Sequence, residues 1–343
     1  MEHLPDSTNL LYSELLQQAL HCLPVDKGIS YISKRIGGKR YWYMELVAGS
    51  VKRQASLGPD SPELRRLIEQ QKALAREAVP ELDSRRRLVA MLAKGGAATP
   101  SLQEARVLEV LERAGIFQAG ATLIGSHAFV VCGNMLGVRW ASSAVRTQDM
   151  DLASPRHLPL ALPADTRPLR EILEASNLGF FEVPALDRKS PSTQFKIRGR
   201  EFHVDILTPL TGPPRKTPVY LPNLRTHAYP MRYLEYLLED TQPAAVVALH
   251  GILVNVPAPA RLALHKLVVA QRRTPAEHIK QRKDRQQAGE LLSALLEGRP
   301  GDLILAIEAA ERMPPRFQLQ LRQGIRHLAG EQQSALQEYG LRP

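Results

Sequence analysis

The chain lacks most features that mark secreted, disulfide-stabilised or membrane proteins. Two cysteines, Cys22 and Cys132, are too few for a disulfide framework or a cysteine metal site. The longest apolar runs, 244–249 and 251–256, are separated by His250 and are too short to span a bilayer. No basic and apolar leader opens the sequence. We therefore expect a protein of the reducing cytoplasm that does not enter a membrane.

Positive charge is the first feature that is present in excess. The chain carries 45 Lys and Arg against 35 Asp and Glu, a formal net charge of +10. Such a balance favours an anionic partner, which includes a nucleotide, RNA, DNA or an acidic protein. The alternative is that the charge only keeps the protein soluble. With 343 residues, of which 44% are hydrophobic, the chain is long enough for two or three folded domains.

Three aspartates lie in two segments whose alternation of apolar and polar residues predicts β-strands, and in each segment the aspartates fall on the polar face. Asp149 and Asp151 are two residues apart, so on a strand they point to the same face while Met150 enters the core. Asp205 occupies an equivalent place in the alternating run 201–207. Converging carboxylates repel one another unless cations hold them, and hard oxygen ligands select Mg²⁺ or Mn²⁺. The pattern predicts a divalent-metal site.

A Gly-Ser turn precedes these aspartates by about two dozen residues. Gly125 and Ser126 follow a short apolar run and start the apolar segment 127–136. A glycine permits close approach to phosphate, and the free N–H groups of a helix N-terminus favour anions. Capping of the helix by Ser126 is the simpler alternative. His127 and His203 flank the acidic residues, and we expect both to be structural or peripheral.

An Asp-x-Asp pair alone also occurs in surface turns and in sugar-nucleotide glycosyltransferases. The added Gly-Ser turn and third aspartate instead resemble the nucleotidyltransferase superfamily of DNA polymerase beta. The likeness is closer to minimal bacterial members related to the AbiEii toxins, and it covers about 105–287. It implies that Gly125 and Ser126 bind the nucleotide phosphates, and that Asp149, Asp151 and Asp205 bind two metal ions and are catalytic.

The same resemblance extends to residues outside the acidic strands. Arg146 stands where relatives have an Arg before the acidic pair, although an ordinary solvated Arg is an equal alternative. Lys266, Lys283 and Asp284 correspond to a lysine and a Lys-Asp pair that line the nucleotide cleft in relatives; a solvated helix face is the alternative. One departure is the sequence after Ser126, where His127 begins a His-Ala-Phe run instead of the Arg-Gly of many relatives.

The expected fold is α+β, a nucleotidyltransferase mixed sheet with flanking helices. We expect a basic N-terminal module at 1–98, a catalytic domain at 101–225 and a mainly helical domain at 226–343 that completes the nucleotide cleft. The Gly-rich and Pro-containing segment 94–100 is the predicted linker. Pro80 is predicted to separate two helices.

The N-terminal module contains three β-rich runs at 29–36, 40–47 and 51–57, separated by Gly-containing turns. This pattern predicts a three-stranded antiparallel meander. Basic residues outnumber acidic ones in it and alternate with tyrosines and Trp42, which is typical of a surface that grips phosphates and stacks bases. Aromatic core residues or a protein-binding surface are the alternatives.

These patterns together predict a Mg²⁺-dependent enzyme that transfers a nucleotidyl group from an NTP to an acceptor. RNA, including tRNA, is the first expected acceptor and protein the second. A toxin-like activity with a cognate antitoxin is compatible with the resemblance. The alternative from another class is a nucleic-acid-binding protein whose nucleotidyltransferase domain is a degenerate scaffold.

Overall fold

A computed structural model describes residues 1–21, 29–48, 51–141, 148–156, 167–185, 190–215 and 217–342 of the chain. The α-helices in these ranges are α1 Asp6–His21, α2 Pro62–Lys94, α3 Leu102–Arg113, α4 Gly125–Leu136, α5 Leu169–Ala175, α6 Leu234–Leu238, α7 Pro259–Ala270, α8 His278–Gly298, α9 Pro300–Glu311, α10 Pro315–Ile325 and α11 Gly330–Glu338. None of these helices combines the length and apolar composition that crossing a bilayer requires.

The strands occur singly and in runs before residue 258, and the described chain after that point is helical. They are β1 Glu2–His3, β2 Ile29–Ile36, β3 Lys39–Ala48, β4 Val51–Pro59, β5 Thr122–Ile124, β6 Val138–Arg139, β7 Asp149–Ala153, β8 Phe180–Glu182, β9 Gln194–Ile197, β10 His203–Pro209, β11 Val219–Leu221, β12 Thr226–Met231, β13 Thr241–Val246 and β14 Ile252–Pro257. The structure thus contains the mixed sheet and flanking helices that the sequence predicts.

The central sheet has the order β11-β12-β10-β7-β5. Strand β10 runs parallel to both β7 and β12, whereas β5 is antiparallel to β7 and β11 is antiparallel to β12. The first half of β10 also pairs with β9, and β8 continues from there. The parallel pair β7–β10 matters most, because it brings two segments more than 50 residues apart in sequence into register.

A continuous buried cluster joins the central sheet to the C-terminal helices. It runs from Ala105 on α3 through Met150 and Ile206 on the sheet to Leu264 on α7 and Leu341 near the end of the chain. Burial of this apolar surface is the main force that holds sheet and helices together. The relative placement of carboxylates on the sheet and cations on the helices is therefore fixed by packing.

The N-terminal region has both a packed and an exposed part. Tyr12 and Leu15 of α1, together with Leu92 of α2, are buried against Ala245 and Val247 at β13. The division into 1–98, 101–225 and 226–343 stays a prediction, but α1 and the end of α2 share a core with the C-terminal part. The meander β2–β3–β4 forms as expected, with a bulge between Trp42 and Tyr43 in its pairing with β4.

One local prediction is wrong, and two local features were not predicted. Helix α2 continues through Pro80, whose ring is exposed, because packing of the following turns outweighs the lost N–H bond. The chain from Pro315 forms two helices, α10 and α11, because short turn bonds such as Leu328 N–H to the Ile325 carbonyl close α10 before residue 330. Strand β12 was not predicted, and it extends the central sheet beyond residue 225.

Candidate active site

The three aspartates lie side by side at one edge of the β7–β10 pair. Asp151 is directly opposite Asp205 in the parallel register, and Asp149 is two residues before Asp151 on the same face. Met150 and Leu152, between and after them, are fully buried on the other face. The predicted alternation is therefore present, and the buried residues fix which way the carboxylates point.

The side chain of Asp151, on strand β7, lies next to Gly125, the first residue of α4. Gly125 has φ +68°, and a Cβ added there would overlap the Asp151 carboxylate. Only glycine combines this backbone conformation with such a close carboxylate. Burial by the surrounding protein, with the charges of Asp205 and Asp149, raises the pKa of the half-buried Asp151 to about 6. Burial also raises the pKa of Asp205.

Three side chains of the protein itself contact the outer two carboxylates. His203 Nε2 lies 3.3 Å from Asp149 Oδ1 and 3.5 Å from Asp205 Oδ2, between the two groups. Gln194 Nε2 donates to Asp205 Oδ1 at 2.7 Å. Lys280 Nζ donates to Asp149 Oδ2 at 3.0 Å from helix α8. His203 thus contacts two of the candidate metal ligands directly, and the expectation that its role is structural stays a prediction.

A second group of charges faces the aspartates from helices α7 and α8. Lys266 is buried and donates to Asp284 Oδ1 at 3.2 Å, while Arg273 donates to Asp284 Oδ2 at 3.1 Å. Lys283 is half-buried, and burial with the nearby Lys266 lowers its pKa. This arrangement differs from the solvated helix face considered as the alternative. Asp284 is engaged with cations, which leaves a net positive wall.

Ser126 does not cap its helix. Helix α4 begins at Gly125, its N-cap residue is Ile124, and no side chain caps its first N–H groups. The Ser126 hydroxyl instead accepts a hydrogen bond from Gln287 Nε2 of α8 at 3.3 Å. His127, one residue further, is buried and contacts Glu104 Oε1 at 3.2 Å, as expected for a structural histidine.

These groups surround a cavity of about 840 Å³. Its polar side is formed by the three aspartates, the start of α4 and the cations of α7 and α8. Its apolar side is lined by Leu207, Met231, Leu234, Leu237, Leu262, Val269 and Ile279. His265 also lines it; burial lowers the pKa of this imidazole to about 3, so it is neutral, and its Nε2 has no hydrogen-bond partner among the described residues.

The carboxylates have the right chemistry for a divalent cation but are held by other partners in this conformation. Within the described ranges, no three His, Cys, Asp or Glu side chains already form a metal-binding set. Hard oxygen donors and mutual repulsion between Asp151 and Asp205 favour a bound Mg²⁺ or Mn²⁺. The residues therefore fit such an ion if Asp149 exchanges Lys280 for it.

The structure brings together every predicted site residue that it describes: Gly125, Ser126, Asp149, Asp151, Asp205, Lys266, Lys283 and Asp284 all line one cavity. Arg146 lies outside the described residues. Sequence reasoning missed Lys280, His203 and Gln194. A signal existed for His203, because it is two residues before Asp205 on the same strand and must share its face.

The uncapped N-terminus of α4 and the lysines across the cavity are groups that suit phosphate oxygens. The family model described as a nucleotidyltransferase matches residues 103–311, more than half of the chain, and the protein belongs to this family. It is accordingly an enzyme of the class that transfers nucleotides. No curated protein and no solved structure gives a match. The closer likeness to the polymerase-beta and AbiEii group stays a prediction.

Proposed function

We propose that the protein transfers an NMP group from an NTP to a hydroxyl acceptor, with Mg²⁺ or Mn²⁺ held by Asp149, Asp151 and Asp205. The observation that carries this proposal is the parallel register that places Asp151 opposite Asp205. That pairing puts three oxygen-donor side chains in the lining of one cavity. Residues from two distant segments converge there, which a chance Asp-x-Asp turn does not explain.

The triphosphate would lie between the start of α4 and the cations of the helical wall. The uncapped N–H groups after Gly125 suit phosphate oxygens, and Gly125 itself permits close approach. Lys266 and Lys283 face this space from α7 and α8, and Asp284 holds Lys266 in place. The apolar side of the cavity suits the nucleobase, with the neutral His265 as a hydrogen-bonding group.

In the reaction, the oxygen of an acceptor hydroxyl forms a bond to the α-phosphorus and its proton passes to solvent. The bond between the α-phosphorus and the oxygen that bridges it to the β-phosphorus breaks, which releases pyrophosphate. Bound divalent ions supply positive charge that lowers the pKa of the attacking hydroxyl and stabilises the leaving group. Asp205 lies at the outer edge of the site beside Gln194, and we assign it to the acceptor side. Asp151, at the cavity floor, serves the nucleotide side.

RNA, including tRNA, is the proposed acceptor, and protein is the alternative. The excess of positive charge supports a polyanionic partner. A toxin-like role, restrained by a cognate antitoxin, would follow if cellular RNA were the target. We place the activity in the cytoplasm.

The test is to incubate the protein with each labelled NTP, Mg²⁺ and total cellular RNA or protein, and to find where the label goes. Asp205→Asn should abolish labelling. Asp302→Asn is the matched control, because it makes the same chemical change at an exposed position on α9. Equal turnover by Asp205→Asn and wild type would refute the metal assignment.

The second candidate function is a nucleic-acid-binding protein with an inactive nucleotidyltransferase scaffold. The ion pair between Lys280 and Asp149 favours it, because a permanent ion pair there would occupy an oxygen that the metal needs. Equilibrium binding separates the two. An active protein binds an NTP more tightly with Ca²⁺ or Mg²⁺ than with EDTA, whereas an inactive scaffold shows no such dependence.

A further inference from the structure

The β2–β3 hairpin carries a dense group of cations at its tip. Strands β2 and β3 are joined at Gly37 and Gly38, both with positive φ. Arg35 is directly opposite Arg40, and Lys39 follows the turn, paired with Ile36. All three cations are exposed. The tight turn therefore presents them together on one end of the sheet.

The positions of these cations favour the binding of an anion. Like charges directly opposite each other destabilise an antiparallel pair. Among the described residues, Arg35, Lys39 and Arg40 have no acidic side chain within ion-pair distance, while other surface arginines such as Arg65 and Arg113 do. Asp60 attracts Arg40 from a greater distance. The hairpin thus bears an electrostatic cost in the isolated protein. A bound polyanion would relieve it.

Aromatic side chains continue from this tip along one face of the meander. Tyr41 and Tyr43 are two residues apart on β3, so they share a face, and both are half-exposed. Lys34, opposite Tyr41 in the register, has its ammonium group 4.9 Å from the centre of the Tyr43 ring. A cation next to adjacent aromatic rings suits a strand of bases with its phosphates.

The opposite face of the meander carries Trp42 and, nearer the tip, Arg35 and Arg40, and helix α2 approaches it at Trp42. Trp42 Nε1 donates to Asp60 Oδ1 at 2.8 Å, and Lys72 of α2 lies 5.8 Å from the Trp42 ring centre. None of the described side chains of β2, β3 and β4 is buried. The Tyr41–Tyr43 face is therefore neither core nor the face that α2 approaches, which answers the alternative that these aromatics are core residues.

We propose that the tip of this hairpin and the tyrosine face next to it bind single-stranded RNA: Arg35, Lys39 and Arg40 surround the tip, and Tyr41 and Tyr43 continue from Lys39 along one face. The proposal rests on the proposed function in that it names where the RNA acceptor docks. Single strands are favoured over duplex because the tyrosines need unstacked bases. The surface lies outside the 103–311 segment that the family model matches.

The test uses the full-length protein and a fluorescent single-stranded RNA of about 12 nucleotides, a length within the range that such surfaces cover. Deleting residues 1–98 would be a poor variant, because Tyr12 and Leu15 belong to a core shared with β13. Point variants of the exposed hairpin avoid this. Binding is measured by fluorescence anisotropy in EDTA without NTP, so its outcome does not depend on catalysis.

The first variant is Arg35→Gln/Lys39→Gln/Arg40→Gln. Three phosphate contacts give a slope of log affinity against log salt of about −2, so affinity should fall about 20-fold between 50 and 200 mM salt. The variant should lose that slope. Its matched control, with Gln at three exposed arginines of α10 and the residue after it, is Arg316→Gln/Arg322→Gln/Arg326→Gln. The control should keep the slope and bind within about twofold of wild type.

The second variant, Tyr41→Leu/Tyr43→Leu, should weaken binding by at least about fivefold without changing the salt slope, since base stacking contributes little to counterion release. Tyr41→Phe/Tyr43→Phe keeps the rings and should bind like wild type. Equal loss in the hairpin and α10 variants would overturn the proposal. So would RNA binding that neither hairpin variant changes, or a duplex of the same length that binds as tightly. If the hairpin variants behave as expected but no transfer occurs, only the proposed function fails.

Discussion

Replacing Asp151 by Asn should make the metal-free protein more stable above pH 6, although it removes a candidate catalytic group. Asp151 faces Asp205 across the strand pair, with Asp149 on the same face. Desolvation and these two charges raise the Asp151 pKa from 3.8 to about 6. The cation that should offset this charge is absent in EDTA, so the carboxylate is a net cost to the fold.

The direction follows from proton binding. Because the folded pKa lies above the unfolded one, the folded state binds the proton more tightly. The free energy of unfolding is therefore highest below about pH 4, falls as the pH rises to about 6, and is level above that. The full cost is at most about 3 kcal/mol, the equivalent of a pKa change from 3.8 to about 6. Asp151 is only half-buried at the cavity floor, which keeps the cost below that limit.

Urea unfolding in EDTA between pH 4 and 7.5 measures this effect. Wild type should lose stability across that range relative to Asp151→Asn, and the two should be equal near pH 4. The matched comparison is Asp284→Asn, the same change at a carboxylate held by Lys266 and Arg273. It should destabilise at pH 7.5 by about 3–5 kcal/mol, because Lys266 would lose its charged partner. If Asp151→Asn were destabilising at pH 7.5 in EDTA, the three carboxylates would not repel one another as argued.

Three further variants probe the same cavity. Lys280→Gln should tighten Mn²⁺ binding in the absence of nucleotide by about 1.5- to 5-fold, because an exposed ion pair is worth about 0.2–1 kcal/mol, and it should weaken NTP binding. The control Arg282→Gln, at an exposed neighbour on α8, should change neither affinity in the same titrations. Gly125→Ala should lower the free energy of unfolding by about 1–2 kcal/mol, measured by urea unfolding, and should abolish nucleotide binding, measured by calorimetry. The control Gly301→Ala should have neither effect, because open space surrounds that position. Lys266→Met should weaken NTP binding by about one to two decades, the value of a charge-assisted contact, and leave Mn²⁺ binding in place; unchanged NTP affinity would remove Lys266 from the cleft.

The sequence predicts the acidic part of the candidate site because its signals are local. Alternation places Asp149 and Asp151 on one face, and the burial of Met150 and Leu152 follows from the same periodicity. Asp205 required one more assumption, that its strand is the neighbour of the first. The parallel register of β7 and β10 confirms that assumption about the fold.

The cationic part is harder to predict because it depends on how helices pack. Lys280, Arg282 and Lys283 lie within four residues of one another on a highly charged helix. No local pattern distinguishes the lysine that reaches Asp149 from the arginine that points to solvent. The choice is made by the contact between α7 and α8, which the sequence does not specify on its own. Tertiary packing similarly keeps α2 continuous at Pro80, although a proline inside a helix normally breaks or kinks it.

Our proposals place catalysis and acceptor choice in different segments of the chain. The segment shared with the family, 103–311, contains the acidic strands and both helices that supply Lys266 and Lys280. All residues that we propose for NTP binding and transfer therefore lie within the segment that the family model matches. The meander at 29–59 precedes that segment and has its own charge and aromatic pattern. A family that transfers nucleotides does not by itself fix the acceptor. The identity of the acceptor should therefore follow the N-terminal hairpin, and exchanging its surface residues should change which molecule is labelled while leaving NTP binding intact.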